Sequence, residues 1–273
     1  MRKLIGIVAA LALIGGGVAQ AVPIVGVEVT TGDLYDINPL TGATTLRTTT
    51  GLPAGSPKIY GACTSPIMNQ IYATEAASPT TLYTVDVNTG ATTAIGNASG
   101  ATTRIDGLAC DVANNILYGS NDANLYIVNP TTVVNTLVGA FGVSSMFGLT
   151  YVPGQGLYGA DSATNLLYQI NTSTAAITAI GGPLMTGGGQ IVDIAYDPTS
   201  GRLLGTANGL PGGGFGVYDI NMGTGVATLL NQQVPNMLGA AEVTTPQVNI
   251  PEPATVSLLG LGALALARRR RRR

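Results

Sequence analysis

Carboxylates carry most of the reactive chemistry open to this sequence. Its 273 residues include 14 Asp and Glu but no His. Without His, the commonest general base and metal ligand is missing, which argues against zinc-hydrolase and serine-triad chemistry. Acid–base work would fall to a carboxylate pair of the glycosidase kind, with Asp193 and either Asp106 or Glu242 as the candidates. Cys63 and Cys110 are the only thiols, and neither has a His to activate it as a nucleophile. Three oxygen-rich stretches, Asp86-Val87-Asn88, Asn121-Asp122-Ala123-Asn124 and Asp161 to Asn165, lack the six to eight converging ligands of a calcium loop and read as turns. The glycine runs Thr186-Gly187-Gly188-Gly189 and Gly212-Gly213-Gly214-Phe215-Gly216 carry no Lys-Ser/Thr and open no helix, so they do not read as a phosphate cradle. They read as long connections, and 181–190 and 208–216 are the expected ligand face. Threonine is frequent, as in Ala43-Thr44-Thr45 and Ala91-Thr92-Thr93, but it clusters around turns and forms no flat ice-binding array. No metal or cofactor is implied.

Charge narrows the partners. Residues 22–250 hold four basic residues, Arg47, Lys58, Arg104 and Arg202, against 13 acidic ones, a net charge of −9. Such a body repels phosphate backbones, so nucleic acid is not an expected partner.

The elements that must position these residues repeat. Short runs rich in Val, Ile, Leu and Tyr alternate with Gly, Thr, Asn and Pro, an all-β pattern. One motif recurs as Leu34-Tyr35-Asp36-Ile37-Asn38, Leu82-Tyr83-Thr84-Val85-Asp86, Leu125-Tyr126-Ile127-Val128-Asn129, Leu167-Tyr168-Gln169-Ile170-Asn171 and Val217-Tyr218-Asp219-Ile220-Asn221. Each is followed three residues later by Thr, and in three copies then by Gly. Asn or Asp at the head of a turn accepts backbone amides, and Gly at its end takes the left-handed conformation that closes a hairpin. The turn residues fall at 38, 86, 129, 171 and 221, spaced by 48, 43, 42 and 50.

A second motif interleaves: Ile59-Tyr60-Gly61, Ile105-Asp106-Gly107, Met146-Phe147-Gly148, Ile191-Val192-Asp193 and Met237-Leu238-Gly239. A third follows it as Ile71-Tyr72-Ala73, Leu117-Tyr118-Gly119, Leu157-Tyr158-Gly159 and Leu203-Leu204-Gly205, its fifth copy being Ile24-Val25-Gly26. Four strands in about 45 residues is the measure of a propeller blade. The chain enters at the second strand of a blade, and Met237 to Val243 has no successors. Pairing the last strand with the first blade would therefore close a five-bladed β-propeller over 22–243. An open β-solenoid is the rival, but it needs no permuted start. Small residues such as Gly61, Gly107, Gly148 and Gly239 suit crowded innermost strands. Asp193 breaks that series, which makes it a candidate channel site for a cation or a ligand hydroxyl; the simpler role is capping backbone amides. Cys63 lies two residues past its Gly and Cys110 three past its own. Strand alternation points them to opposite faces, so two buried free thiols are expected, with a disulfide as the alternative. The Leu-Tyr…Thr-Gly repeat resembles that of secreted bacterial propellers.

The two ends are addresses. Arg2-Lys3, the apolar stretch Leu4–Val18 and Ala19-Gln20-Ala21 form a secretory signal with an A-x-A cleavage site, placing 1–21 outside the mature protein. The apolar stretch would span about 22 Å at ~1.5 Å per residue, short of a ~30 Å bilayer core. At the other end, past a 244–249 linker, Pro251-Glu252-Pro253 precedes a Leu/Gly/Ala-rich run and the cluster Arg268, Arg269, Arg270, Arg271, Arg272, Arg273. Each Arg costs roughly 2.5–3.5 kcal/mol at a membrane centre, so the cluster acts as a membrane stop and stays cytoplasmic. The prolines block helix propagation and leave an extended segment that a protease can grip.

Residues 250–273 thereby resemble the PEP-CTERM sorting signal of Gram-negative bacteria. That resemblance implies a membrane-embedded protease, the exosortase, as a partner beside signal peptidase and the secretion machinery. It also implies transient inner-membrane anchoring, then release to the cell surface or matrix. The expected function is a non-enzymatic display module for exopolysaccharide or surface proteins; the alternative is a secreted carboxylate-dependent enzyme such as a glycan hydrolase.

Overall fold

The computed structural model describes residues 24–52, 59–67, 69–75, 77–232 and 234–242; the expected secretory signal over 1–21, Pro251, Glu252, Pro253 and the Arg cluster lie outside them. Among the described residues there are 21 strands and no helix.

In chain order, β1 (Ile24–Glu28), β2 (Leu34–Ile37) and β3 (Thr44–Thr48) belong to the first blade. The second contains β4 (Ile59–Thr64), β5 (Gln70–Glu75), β6 (Thr81–Asp86) and β7 (Thr92–Asn97). The third has β8 (Ser99–Gly100), β9 (Gly107–Asp111), β10 (Ile116–Ser120), β11 (Asn124–Val128) and β12 (Val134–Ala140). The fourth has β13 (Met146–Val152), β14 (Gly156–Asp161), β15 (Leu166–Ile170) and β16 (Ile177–Ile180). The fifth has β17 (Gln190–Asp197), β18 (Arg202–Asn208), β19 (Gly216–Ile220) and β20 (Ala227–Gln232), and β21 (Met237–Glu242) returns to the first.

Each blade is an antiparallel meander, and the first has the order β21-β1-β2-β3. The chain's last strand pairs with its first, Ile24 opposite Glu242 and Gly26 opposite Ala240. The innermost strands follow one another around the axis as β21, β4, β9, β13 and β17, with β17 again touching β21. This is the closed five-bladed propeller the repeat predicts, and closure removes the open ring joint. One strand was not foreseen: β8 pairs in parallel with β12, because the chain leaving the second blade runs along the outer edge of the third before turning inward.

Apolar periodicity builds the layers. Leu34, Leu82, Leu125, Leu167 and Val217, the first residues of the five repeated pairs, are all at most 1% exposed. Burying such a side chain contributes roughly 1.5–3 kcal/mol. At the turns the hydrogen-bond pattern recurs fivefold. The Asn38 side-chain oxygen accepts the amides of Leu40 and Thr41, and Asp86, Asn129, Asn171 and Asn221 accept theirs in the same way. The residue that closes each turn is left-handed: Gly42, Gly90, Val133, Ala175 and Gly225 have φ between 55° and 72°.

The innermost strands touch at their glycines. A Cβ on Gly61 would lie 2.3 Å from the Asp106 carbonyl oxygen, and one on Gly107 2.0 Å from that of Phe147. At the ring-closing junction Asp193 stands in for glycine. It is fully buried, and its Oδ2 accepts the Ala240 amide of β21 at 2.6 Å. Asp193 therefore does not open onto the channel; its carboxylate fastens the fifth blade to the strand that closes the wheel.

The cysteines also depart from expectation. Cys63 and Cys110 form a disulfide with Cα atoms 5.7 Å apart, within the usual range. Their side chains do leave opposite faces of their own sheets. Blades stack face to face, however, so opposite faces of consecutive blades are the ones that meet. The alternation argument holds within one sheet and reverses between two.

Candidate functional site

Two hollows lie on the axis, on either side of the glycine level. The first, about 270 Å³, draws wall residues from all five innermost strands, among them Ala62, Ala109, Ala195 and Ala240 together with the disulfide. Its carboxylate, Asp111, is held by the Asn114 amide and side chain at 3.2 and 2.7 Å, so it serves its own turn. Tyr151 at its rim stacks on Tyr118 with ring centroids 6.3 Å apart.

The second hollow, about 260 Å³, lies at the other mouth and is lined by Tyr60, Phe147, Ser162, Gln190, Val192, Asn208 and Asn236, contributed by four blades. Tyr60, Phe147 and Val192 occupy one repeated position. In β4, β13 and β17 the ladder skips the residue before the level of Gly61, Gly148 and Asp193, leaving a β-bulge there. A bulge re-aims the extra residue, and here it turns the side chain toward the axis. Tyr60 and Phe147 meet across the mouth at 6.3 Å between centroids. Gln190 and Asn208 face each other as the last rung of β17 and β18. The result, among the described residues, is two aromatic rings and three amide side chains with no charged side chain.

The third blade places Asp106 at the equivalent position. It is fully buried, with its Oδ1 2.9 Å from the Arg104 Nε, while Arg104 also reaches Asp122 at 3.0 Å. Oδ2 of Asp106 has no hydrogen-bond partner. Burial pushes the Asp106 carboxyl up to about 6, partly offset by Arg104 and assisted by the charge of Asp122. Arg104 lies within electrostatic reach of Tyr60, so this ion-paired cluster borders the mouth. At Asp193 burial also dominates, raising the carboxyl well above its ordinary range although the amides of Ala240, Ile194 and Leu149 favour the charged form.

The expected pairing of Asp193 with Asp106 is thus not brought into one cleft, and the Glu242 side chain lies outside the described residues. Asp106, just before β9, and Asp193, on β17, belong to non-adjacent blades, and each is fully buried. Glu242 faces Ile24 in the ladder. No group of three or more His, Cys, Asp or Glu able to hold a metal occurs among the described residues. The glycine connections do converge, as Gly189 lies against Asn208 and Leu210. Reading the third position of the innermost motif drew attention to Asp193 and away from the second, where Tyr60, Asp106 and Phe147 differ from blade to blade. That variation within an otherwise regular triplet was the available signal.

Fold and terminal motif together define a β-propeller that carries an export and sorting signal. The chain belongs to the family described as a repeat of unknown function, DUF6923, whose match spans residues 29–186. Residues 249–272 match the PEP-CTERM protein-sorting motif, which implies export, transient membrane anchoring and processing by an exosortase. A search of curated proteins returns no match. Among solved structures, the chain is similar to one in the crystal structure of a nidogen/laminin complex, with a TM-score of 0.55 and 11% identity over 82% of this chain and 98% of that one. It is also similar to a structural-genomics protein of unknown function from Bacteroides thetaiotaomicron, with a TM-score of 0.50 and 14% identity over 83% of this chain and 64% of the other. At these identities the likeness concerns the fold alone.

Proposed function

We propose that the exported propeller is a non-catalytic binding module that holds an uncharged carbohydrate at the mouth formed by Tyr60, Phe147, Gln190, Asn208 and Asn236. The carrying observation is the composition of that wall. A sugar ring offers apolar C–H faces and a rim of hydroxyls that each donate and accept. Aromatic rings supply flat apolar surface at low entropic cost, and amide side chains both donate and accept. A few polar groups in an otherwise apolar hollow is the usual build of a ligand site. A binding rather than hydrolytic role is supported by the burial of Asp106 and Asp193 and by a mouth whose described wall residues include no carboxylate. Display at the cell surface or in the extracellular matrix accords with the sorting motif.

A glycan array probed with the purified protein and its Tyr60→Ala variant tests this. Binding to neutral glycans, weakened about tenfold in the variant and accompanied by no new reducing ends, is expected. Equal binding by the variant would remove the mouth from the account, and release of reducing ends would favour the hydrolase.

A further inference from the structure

The two glycine-rich connections frame a third hollow, about 350 Å³, whose wall includes Met185, Gly188, Leu210, Tyr218, Leu229 and Gln232. It lies outward from the axial mouth on the same face, and the two are divided by a single ridge. On the axial side of that ridge stands the rung Gln190–Asn208, the outermost pair of β17 and β18. The next residues on each strand form the crest itself, Gly189 and Gly209, with φ of 87° and 65°. The crest has to be bare. A Cβ on Gly189 would come within 2.9 Å of both the Asn208 carbonyl oxygen and the Leu210 side chain, and at Gly209 the left-handed backbone itself disfavours a side chain. The crest thus carries no side chain of its own, and those of Leu210 and Met185 pack against its outer flank.

We infer that the two hollows and the crest form one radial groove that takes several consecutive residues of an unbranched, uncharged polysaccharide. This rests on the mouth as a carbohydrate site and extends it outward. Three features select that occupant. Among the described residues neither hollow has a charged side chain in its wall, and a body carrying −9 between residues 22 and 250 repels acidic polymers. The outer hollow repeats the chemistry of the inner one: Leu229, 45% exposed, provides an apolar floor and Gln232 an amide. The surrounding glycines 187, 212, 213 and 214 have open space where a Cβ would stand, which leaves peptide groups accessible to hydroxyls. A linear chain can cross the bare crest and place one sugar on each side; a branch at the crossing would meet the crest.

Calorimetric titration with unbranched neutral glucans of one to eight residues, in β-1,4, β-1,3 and α-1,4 linked series, tests the groove. For the series that binds, affinity should rise at least tenfold between two and five residues and then level off. Gly187 needs no left-handed backbone and has open space at its Cβ, so Gly187→Trp should fold normally and fill the outer hollow. That variant should lose the gain with length while keeping the affinity for the shortest ligand. Tyr60→Ala should weaken every length alike. Affinity independent of length, or a length gain that survives Gly187→Trp, would overturn the groove and leave the mouth standing. No binding by the wild-type protein in any series would overturn both.

Discussion

The two faces of this wheel are built on different rules. On one face the turns at 38, 86, 129, 171 and 221 repeat a single hydrogen-bond scheme five times. The disulfide between the second and third blades also lies toward this side, in the wall of the small-residue hollow. On the other face the second to fifth blades differ from one another. Tyr60, Asp106, Phe147 and Val192 occupy one structural position with four chemistries, and the connections range from a tight turn to the glycine runs near 187 and 213. Repetition on one side keeps the blades in register. Divergence on the other marks where a blade can be specialised without harm to its neighbours, as expected when nearest-neighbour packing carries the stability.

This contrast can be broken in graded ways. The largest effect should come from the clasp between blades. Replacing Cys63 and Cys110 by Ser releases a link across 47 residues of sequence and should cost about 4 kcal/mol on the chain-entropy account. Denaturant unfolding measures that loss, and carbohydrate binding at the opposite mouth should persist under native conditions.

Next is pH. The Asp106 carboxyl titrates at about 6 in the folded protein against an ordinary 3.8. The fold therefore prefers the protonated acid. Its contribution is fully present below 3.8 and is lost as pH rises through about 6. That shift corresponds to at most about 3 kcal/mol, lessened by the exposed side of Arg104. Asp193, raised for the same reason of burial, acts in the same direction. Melting temperature should fall from pH 5 to pH 8, and Asp106→Asn together with Asp193→Asn should flatten the profile. A rising profile would contradict the buried setting of both residues.

The smallest effect should lie in the repeated turns. Asn171→Ala removes the acceptor for two amides that water can replace, and should cost about 1 kcal/mol. The equivalent change at Asn221 should cost the same within a few tenths of a kcal/mol. Unequal losses, followed by thermal unfolding, would show that the five turns are less equivalent than their hydrogen bonds.

What could be read from the chain follows the same division. The repeat gave the blade length, the number of blades and the closing strand, because period-2 burial and Asx turns are local physics that each copy states again. The Cys63–Cys110 pairing was misread because side-chain alternation is local to one sheet, whereas the contact is made between sheets. Asp193 was singled out for its type, yet its partner is the Ala240 amide contributed 47 residues later. The mouth was not legible, since it draws Tyr60, Phe147, Gln190 and Asn236 from four blades and depends on bulges that a single strand's pattern does not announce. The glycine connections were expected to form a ligand face, but the bare crest between two hollows exists only once Gly189 and Gly209 are brought together.

Hydrogen exchange measured with and without a bound neutral glucan tests the division of labour most directly. Added protection should concentrate at Ile59–Gly61, Met146–Gly148, Gln190–Asp193 and around Asn208, leaving the five repeated turns unchanged. Protection confined instead to Val112–Asn114 and Pro153–Gly154, beside the disulfide, would place the ligand on the wrong side of the wheel and contradict the account.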